Sequence, residues 1–191
     1  MIDKHLVERH HRGPYLGTYS GRKFYIKSVR EEDIDIRDIA HSLSLQCRFA
    51  GHIKNLLSVA AHSINCARYV ERQYKDNQLA LCALLHDASE AYLVDIPRPL
   101  KYLVSMDGYR ELEEKVQRAI LKKYGLSYPM PPEIKTVDDL MVATEAHYLL
   151  KNADWAKDLI RLDHPPNFIG ANFRRVEKEF LRIFRRLINA R

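Results

Sequence analysis

Residues 79–90 read Leu79-Ala80-Leu81-Cys82-Ala83-Leu84-Leu85-His86-Asp87-Ala88-Ser89-Glu90. Up to Leu85 this run is apolar on every side of a helical projection, which predicts a centrally buried helix over 79–87. The run ends on an imidazole beside a carboxylate, and burying two ionisable groups without partners is unfavourable. A divalent cation relieves that penalty for both, because neutral imidazole and carboxylate are ligands for Zn²⁺, Co²⁺, Mn²⁺ or Fe²⁺. Two further candidates lie at matching helical places. His62 follows the apolar stripe Val59-Ala60-Ala61, and Asp138 opens a helical stretch that continues to Ala143-Thr144-Glu145. The order His62, His86-Asp87, Asp138 lets three antiparallel helices each send ligands into one bundle interior.

Beyond this run the chain carries helical period almost everywhere after Asp33, with Ile36, Ile39, Ala40 and Leu43 recurring at three and four. Further helices are predicted over 109–124, 137–150 and 171–190, with Pro97 and Pro99 breaking the chain after Asp95. Pro129, Pro131 and Pro132 are placed in a loop. Strand character is confined to 15–19 and 23–26, which flank Ser20-Gly21 as a short hairpin. The expected architecture is all-α: a single-domain helical bundle (31–191) preceded by an N-terminal extension with a small β-hairpin (1–30). The 46% apolar content of these 191 residues excludes a disordered polymer. No apolar run approaches the ~20 residues that span a bilayer, and residues 1–13 are polar with no leader-like core. A soluble, cytoplasmic protein is therefore expected, with no membrane partner.

Three cysteines, an odd number with no CxxC spacing, predict small buried side chains rather than a disulfide scaffold or a Cys-type zinc site. The net charge of +6 suits an anionic ligand. In the last helix Arg174, Arg175, Lys178, Arg182, Arg185 and Arg186 alternate with apolar residues. No aromatic is interleaved on the basic side for base stacking, so nucleic acid is not the expected partner.

The series His62…His86-Asp87…Asp138 resembles the HD-domain phosphohydrolase superfamily. The likeness extends to Arg48-Phe49-Ala50-Gly51-His52, to Glu90…Asp95-Ile96-Pro97-Arg98-Pro99-Leu100-Lys101 and to Asp138-Asp139-Leu140-Met141-Val142-Ala143-Thr144-Glu145. It covers residues from about 18 to 150 and is similar to a small-protein branch of bacterial 5′-deoxynucleotidases and phage-encoded dATP triphosphohydrolases. That resemblance implies an HD-type bundle with His62, His86, Asp87 and Asp138 as metal ligands, Asp138 rather than Asp139 being the fourth. It implies Glu90 and Asp95 as catalytic acids, with Glu90 one helical turn from His86 and facing the same cavity. Arg48 and Lys101 would reach substrate phosphate, with Arg98 and Lys54 as alternates.

Phe49, Ile53, Pro97 and Pro99 would form an apolar slot for a base, and His52 would touch the substrate or support a residue that does. His41 and His147 are read as completing hydrogen bonds in the core. The cofactor implied is one divalent ion (Zn, Co, Mn or Fe), with room for an additional metal on a phosphate chain. The activity implied is hydrolysis of a small-molecule deoxynucleotide, foremost of dATP or another dNTP to deoxynucleoside and triphosphate. The alternative is a 5′-deoxynucleotidase acting on dNMP, and the non-enzymatic rival is a nucleotide- or nucleic-acid-binding module. Homo-oligomers are expected by the same likeness.

Overall fold

The computed structural model describes residues 12–190; the polar, His-rich start read from the sequence lies, up to residue 11, outside the described residues. A two-stranded antiparallel ribbon comes first, β1 (Leu16–Gly17) against β2 (Lys23–Phe24), with Leu16 opposite Phe24. It is shorter than its sequence suggests, because Ile26 turns into a 3₁₀ segment, Ile26–Ser28. So short a ribbon needs docking to persist. Ser20 donates its backbone N–H and its hydroxyl to the two oxygens of Asp38, at 2.6 and 2.8 Å. Phe24, fully buried, stacks on Tyr92 with ring centroids 3.7 Å apart.

The rest is mostly helical. The helices are α1 (Ile36–Leu45), α2 (Val59–Tyr74), α3 (Asn77–Leu85), the short α4 (Glu90–Leu93) and α5 (Arg98–Lys101), then α6 (Asp107–Lys123), α7 (Pro132–Leu149) and α8 (Phe173–Asn189). Asp35, Ser58, Asp76 and Asn172 cap α1, α2, α3 and α8 through their side-chain oxygens. As its composition requires, α3 is buried from Ala80 to Leu85. It packs between α2 and α8, whose Phe180, Ile183 and Leu187 are fully buried. No helix among the described residues is long and apolar enough to cross a membrane.

Two helix boundaries depart from the sequence reading, and both matter to the site. The predicted helix over 79–87 stops at Leu85, so Glu90 begins a separate helix instead of continuing the first one. Buried Gln117 of α6 bridges the break: it donates from Nε2 to the Leu85 carbonyl (2.7 Å) and accepts the Ser89 N–H (3.0 Å). A distant side chain thus satisfies backbone groups freed by the turn. The second departure is α7, which starts at Pro132 and not at 137. Proline is tolerated at N1, where its missing N–H would have had no helical partner. Asp138 therefore lies inside the helix, in its second turn, rather than opening it.

Asp76 accepts hydrogen bonds from the N–H groups of Gln78 (2.8 Å) and Leu79 (2.9 Å) at the start of the helix that delivers His86. Asp76→Ala is expected to destabilise the chain by about 1 kcal/mol. That lowers the melting temperature by roughly 2–4 °C. Bound metal and activity are expected to be unchanged in the same preparation, as read by thermal denaturation and metal analysis.

Candidate metal centre

Helix α2 supplies His62, the residue after α3 supplies His86, the following turn Asp87, and α7 Asp138. Their polar atoms converge. His62 Nε2 lies 3.2 Å from His86 Nε2, 3.2 Å from Asp138 Oδ1 and 3.7 Å from Asp87 Oδ2. His86 Nε2 lies 3.1 Å from Asp87 Oδ2 and 3.8 Å from Asp138 Oδ1. Ligands bound ~2.1 Å from a common ion stand roughly 3.0–3.5 Å apart at right or tetrahedral angles, which is close to this spacing.

The imidazoles are oriented for the same purpose. His86 Nδ1 faces the carbonyl of Ala83 at 2.8 Å, and His62 Nδ1 faces Glu145 Oε1 at 2.7 Å. An N–H points at each acceptor, so in the neutral imidazoles that a cation would bind, both Nε2 atoms are the free lone pairs. Two lone pairs at that separation, flanked by two carboxylates, fit a divalent cation by the chemistry of the donor set. Glu145, which the sequence marks only as the end of Ala143-Thr144-Glu145, is fully buried. It also receives Arg48 Nε at Oε2 (3.4 Å), so one carboxylate holds both the imidazole and the guanidinium. Its signal was a glutamate in an apolar run, two turns from Asp138.

Cys66, read from the sequence as a small packing residue, stands closer to the centre than expected. Its sulfur is 3.6 Å from His62 Nε2, and His62, Cys66 and His86 offer ligand atoms within 4.8 Å of one another, so this trio could also hold a metal. Its position one turn after His62 on α2 was the available clue. Asp87 and Asp138 differ from it in lining an open cavity, whereas Cys66 is buried at 1% exposure.

That cavity, about 700 Å³, is also lined by Arg48, Phe49, His52, Glu90, Asp95, Pro97 and Lys101. Of the residues placed around the substrate by resemblance, this wall leaves out Ile53, which packs against the hydrophobic core, and Lys54, which lines a neighbouring depression. Apolar wall that the sequence reading missed comes from Val142, Tyr102 and Trp155. His41 is half-buried and pairs with Glu177 at 3.1 Å, whereas His147 is exposed and not a core residue.

Burial, and then the charges of Asp87 and Asp95, hold the Glu90 carboxyl well above its ordinary protonation range. Its Oε1 is 3.5 Å from Lys101 Nζ, while its buried Oε2 has no hydrogen-bond partner. Burial likewise raises Asp95, against the lowering effect of Arg48. Backbone strain brackets the cavity. Phe49 (φ 54°) and Ala50 (φ 50°) follow Arg48, and Val94 (φ 74°) precedes Asp95. Left-handed conformations of this kind at non-glycine residues concentrate where side chains are held for function.

A helical bundle in which a histidine, a His-Asp pair and a later aspartate meet over an open cavity is an HD-domain architecture. Residues 51–187 match the model of the 5′-deoxynucleotidase YfbR-like family, and the chain belongs to that family. It is 44% identical over 131 residues to the uncharacterized protein YfdR of Escherichia coli K12, which covers 69% of this chain and 70% of that one. An uncharacterized protein of Rhodobacter capsulatus is 34% identical over 120 residues, or 61% of each chain. A protein of Pectobacterium atrosepticum named as a 5′-deoxynucleotidase is 25% identical over 140 residues, 70% of this chain and 58% of its own length.

Proposed function

We propose that the chain is a 5′-deoxynucleotidase, hydrolysing a deoxynucleoside 5′-monophosphate to deoxynucleoside and phosphate, with a divalent ion held by His62, His86, Asp87 and Asp138. The observation that carries the choice of monophosphate is the state of the cavity's cations. Arg48 faces Glu145 and Asp87, Arg98 faces Asp138 and Asp139, Lys101 faces Glu113 and Glu90, and Lys135 pairs with Asp139. A bound divalent ion adds two positive charges to this set, which matches a monophosphate of about −2. A triphosphate chain brings roughly twice that charge and finds no free cation here. The family name supports the same reading over the dATP triphosphohydrolase suggested first by the sequence.

A divalent ion in such a site supplies a positive charge that acidifies water and polarises the P–O bond. The chain's own groups do the rest. Arg48 and Lys101 bracket the phosphate from opposite walls, Arg as a fork and Lys as a point charge. Glu90 stands ready at its unpartnered Oε2 to take a proton from the attacking water and return it to the departing 5′-oxygen. The water oxygen bonds to phosphorus as the bond from phosphorus to the 5′-oxygen breaks, so the products are alcohol and orthophosphate. Asp95 flanks Glu90 and holds up its proton affinity. Phe49, Val142 and Trp155 offer apolar wall to sugar and base.

The test is a panel of all dNMPs, dNTPs and NTPs with Co²⁺, Mn²⁺ or Zn²⁺ and with EDTA. Orthophosphate is expected from dNMPs, and it should disappear with the chelator. Tripolyphosphate released from dATP, with dAMP inert, would restore the triphosphohydrolase reading. Binding of nucleotide without turnover under any metal would favour a binding module.

A further inference from the structure

Leu150 separates the catalytic cavity from a second depression of about 400 Å³ that is lined by Lys54, His147, Lys151, Lys157 and Arg161. Three segments build it: the loop after the strained Arg48–Gly51 turn, the end of α7, and the irregular stretch that follows α7. The Lys54 N–H donates to the Leu149 carbonyl at 2.9 Å and pins the first segment to the second. Among the described residues, no carboxylate lines the depression. Unlike the cations of the catalytic cavity, Lys54, Lys151, Lys157 and Arg161 make no ion pair with any described residue. The side-chain hydrogen bond of Arg161 is to the Lys157 carbonyl, at 3.4 Å. Asp154, close by in the chain, is turned towards the amide of Asn152 at 3.0 Å.

We propose that this depression binds a polyphosphate chain, at a site separate from the catalytic cavity. Four like charges gathered without a counter-ion repel one another, and an anion of high charge density relieves that repulsion. Among the described residues the lining carries no Phe, Tyr or Trp, its one ring being the imidazole of His147, so it suits the phosphates better than a base. Inorganic tripolyphosphate and the triphosphate tail of a nucleotide share this chemistry. A monophosphate, with fewer charges, engages fewer of the four cations.

The experiment is calorimetric titration of the metal-loaded full chain at low ionic strength with tripolyphosphate, ATP and AMP. The same titrations are run on the variant carrying Lys151→Ala, Lys157→Ala and Arg161→Ala. All three positions are exposed, so the variant is expected to keep its melting temperature and its dAMP turnover. Saturable binding of tripolyphosphate and ATP by the unaltered chain is expected, with AMP much weaker. The variant should bind roughly tenfold less tightly or worse. Equal affinities for tripolyphosphate and ATP identify the chain of phosphates as the whole ligand, and tighter ATP identifies a nucleotide. Affinity within twofold in the variant places the anion in the catalytic cavity and overturns the proposal, as does an absence of saturable binding. The result is independent of whether dAMP is hydrolysed.

Discussion

Asp138→Asn is expected to release the divalent ion and to lower dAMP hydrolysis by more than about 100-fold. Losing a partner merely behind a metal ligand costs 10–100-fold, and Asp138 lies in front. Its Oδ1 sits 3.2 Å from His62 Nε2 and 3.8 Å from His86 Nε2, the two nitrogens that would face the ion. Asparagine keeps the shape but withdraws the negative charge that compensates a cation there. The fold should survive, because Oδ2 accepts from Arg98 at 2.7 Å and an amide oxygen can do the same. Metal content of the dialysed protein, turnover and thermal denaturation read the three effects separately. Asp139→Asn is the control: the Asp139 side chain is half-exposed and pairs with Arg98 and Lys135, so activity within about twofold is expected. Full metal content and near-normal activity in Asp138→Asn would shift the site to His62, Cys66 and His86.

Much of this candidate centre was legible because the residues proposed as its ligands interrupt apolar helices, where an ionisable side chain needs a reason. The run from Leu79 to Leu85 announced its own burial, and His62 stood out against Val59-Ala60-Ala61 for the same cause. What escaped depends on partners far away in the chain. The break between α3 and α4 is satisfied by Gln117, and no local pattern around residues 85–90 signals it. Pro131 and Pro132 carry the same local signal whether they sit in a loop or start a helix, and tertiary packing chose the helix. Ile53 has the right type for a substrate wall but turns inwards to the core, a choice that spacing cannot reveal. Cys66 looked inert because cysteine is an ordinary core residue, and only the convergence of His86 on His62 makes its place one turn after His62 a polar neighbourhood.

Glu145 is where the largest loss of stability and a large loss of metal affinity should coincide. Its Oε1 accepts from His62 Nδ1 at 2.7 Å and its Oε2 from Arg48 Nε at 3.4 Å, so both oxygens serve as acceptors. Glutamine offers only one. Whichever way the amide turns, its NH₂ group meets a donor, either the His62 N–H or the Arg48 N–H. Glu145→Gln is therefore expected to weaken metal binding by about 10–100-fold, with activity recovering at saturating metal because no atom that reacts has changed. Glu145→Ala goes further, since it leaves Arg48, a buried cation, with Asp87 at 3.6 Å as its remaining partner. Breaking a buried pair from one side costs about 3–5 kcal/mol, or a fall of roughly 10 °C in melting temperature. A residue that merely filled space would show the opposite pattern, with glutamine neutral in metal affinity and no rescue to observe. Metal titration of both variants, with melting followed in the same samples, separates positioning from packing.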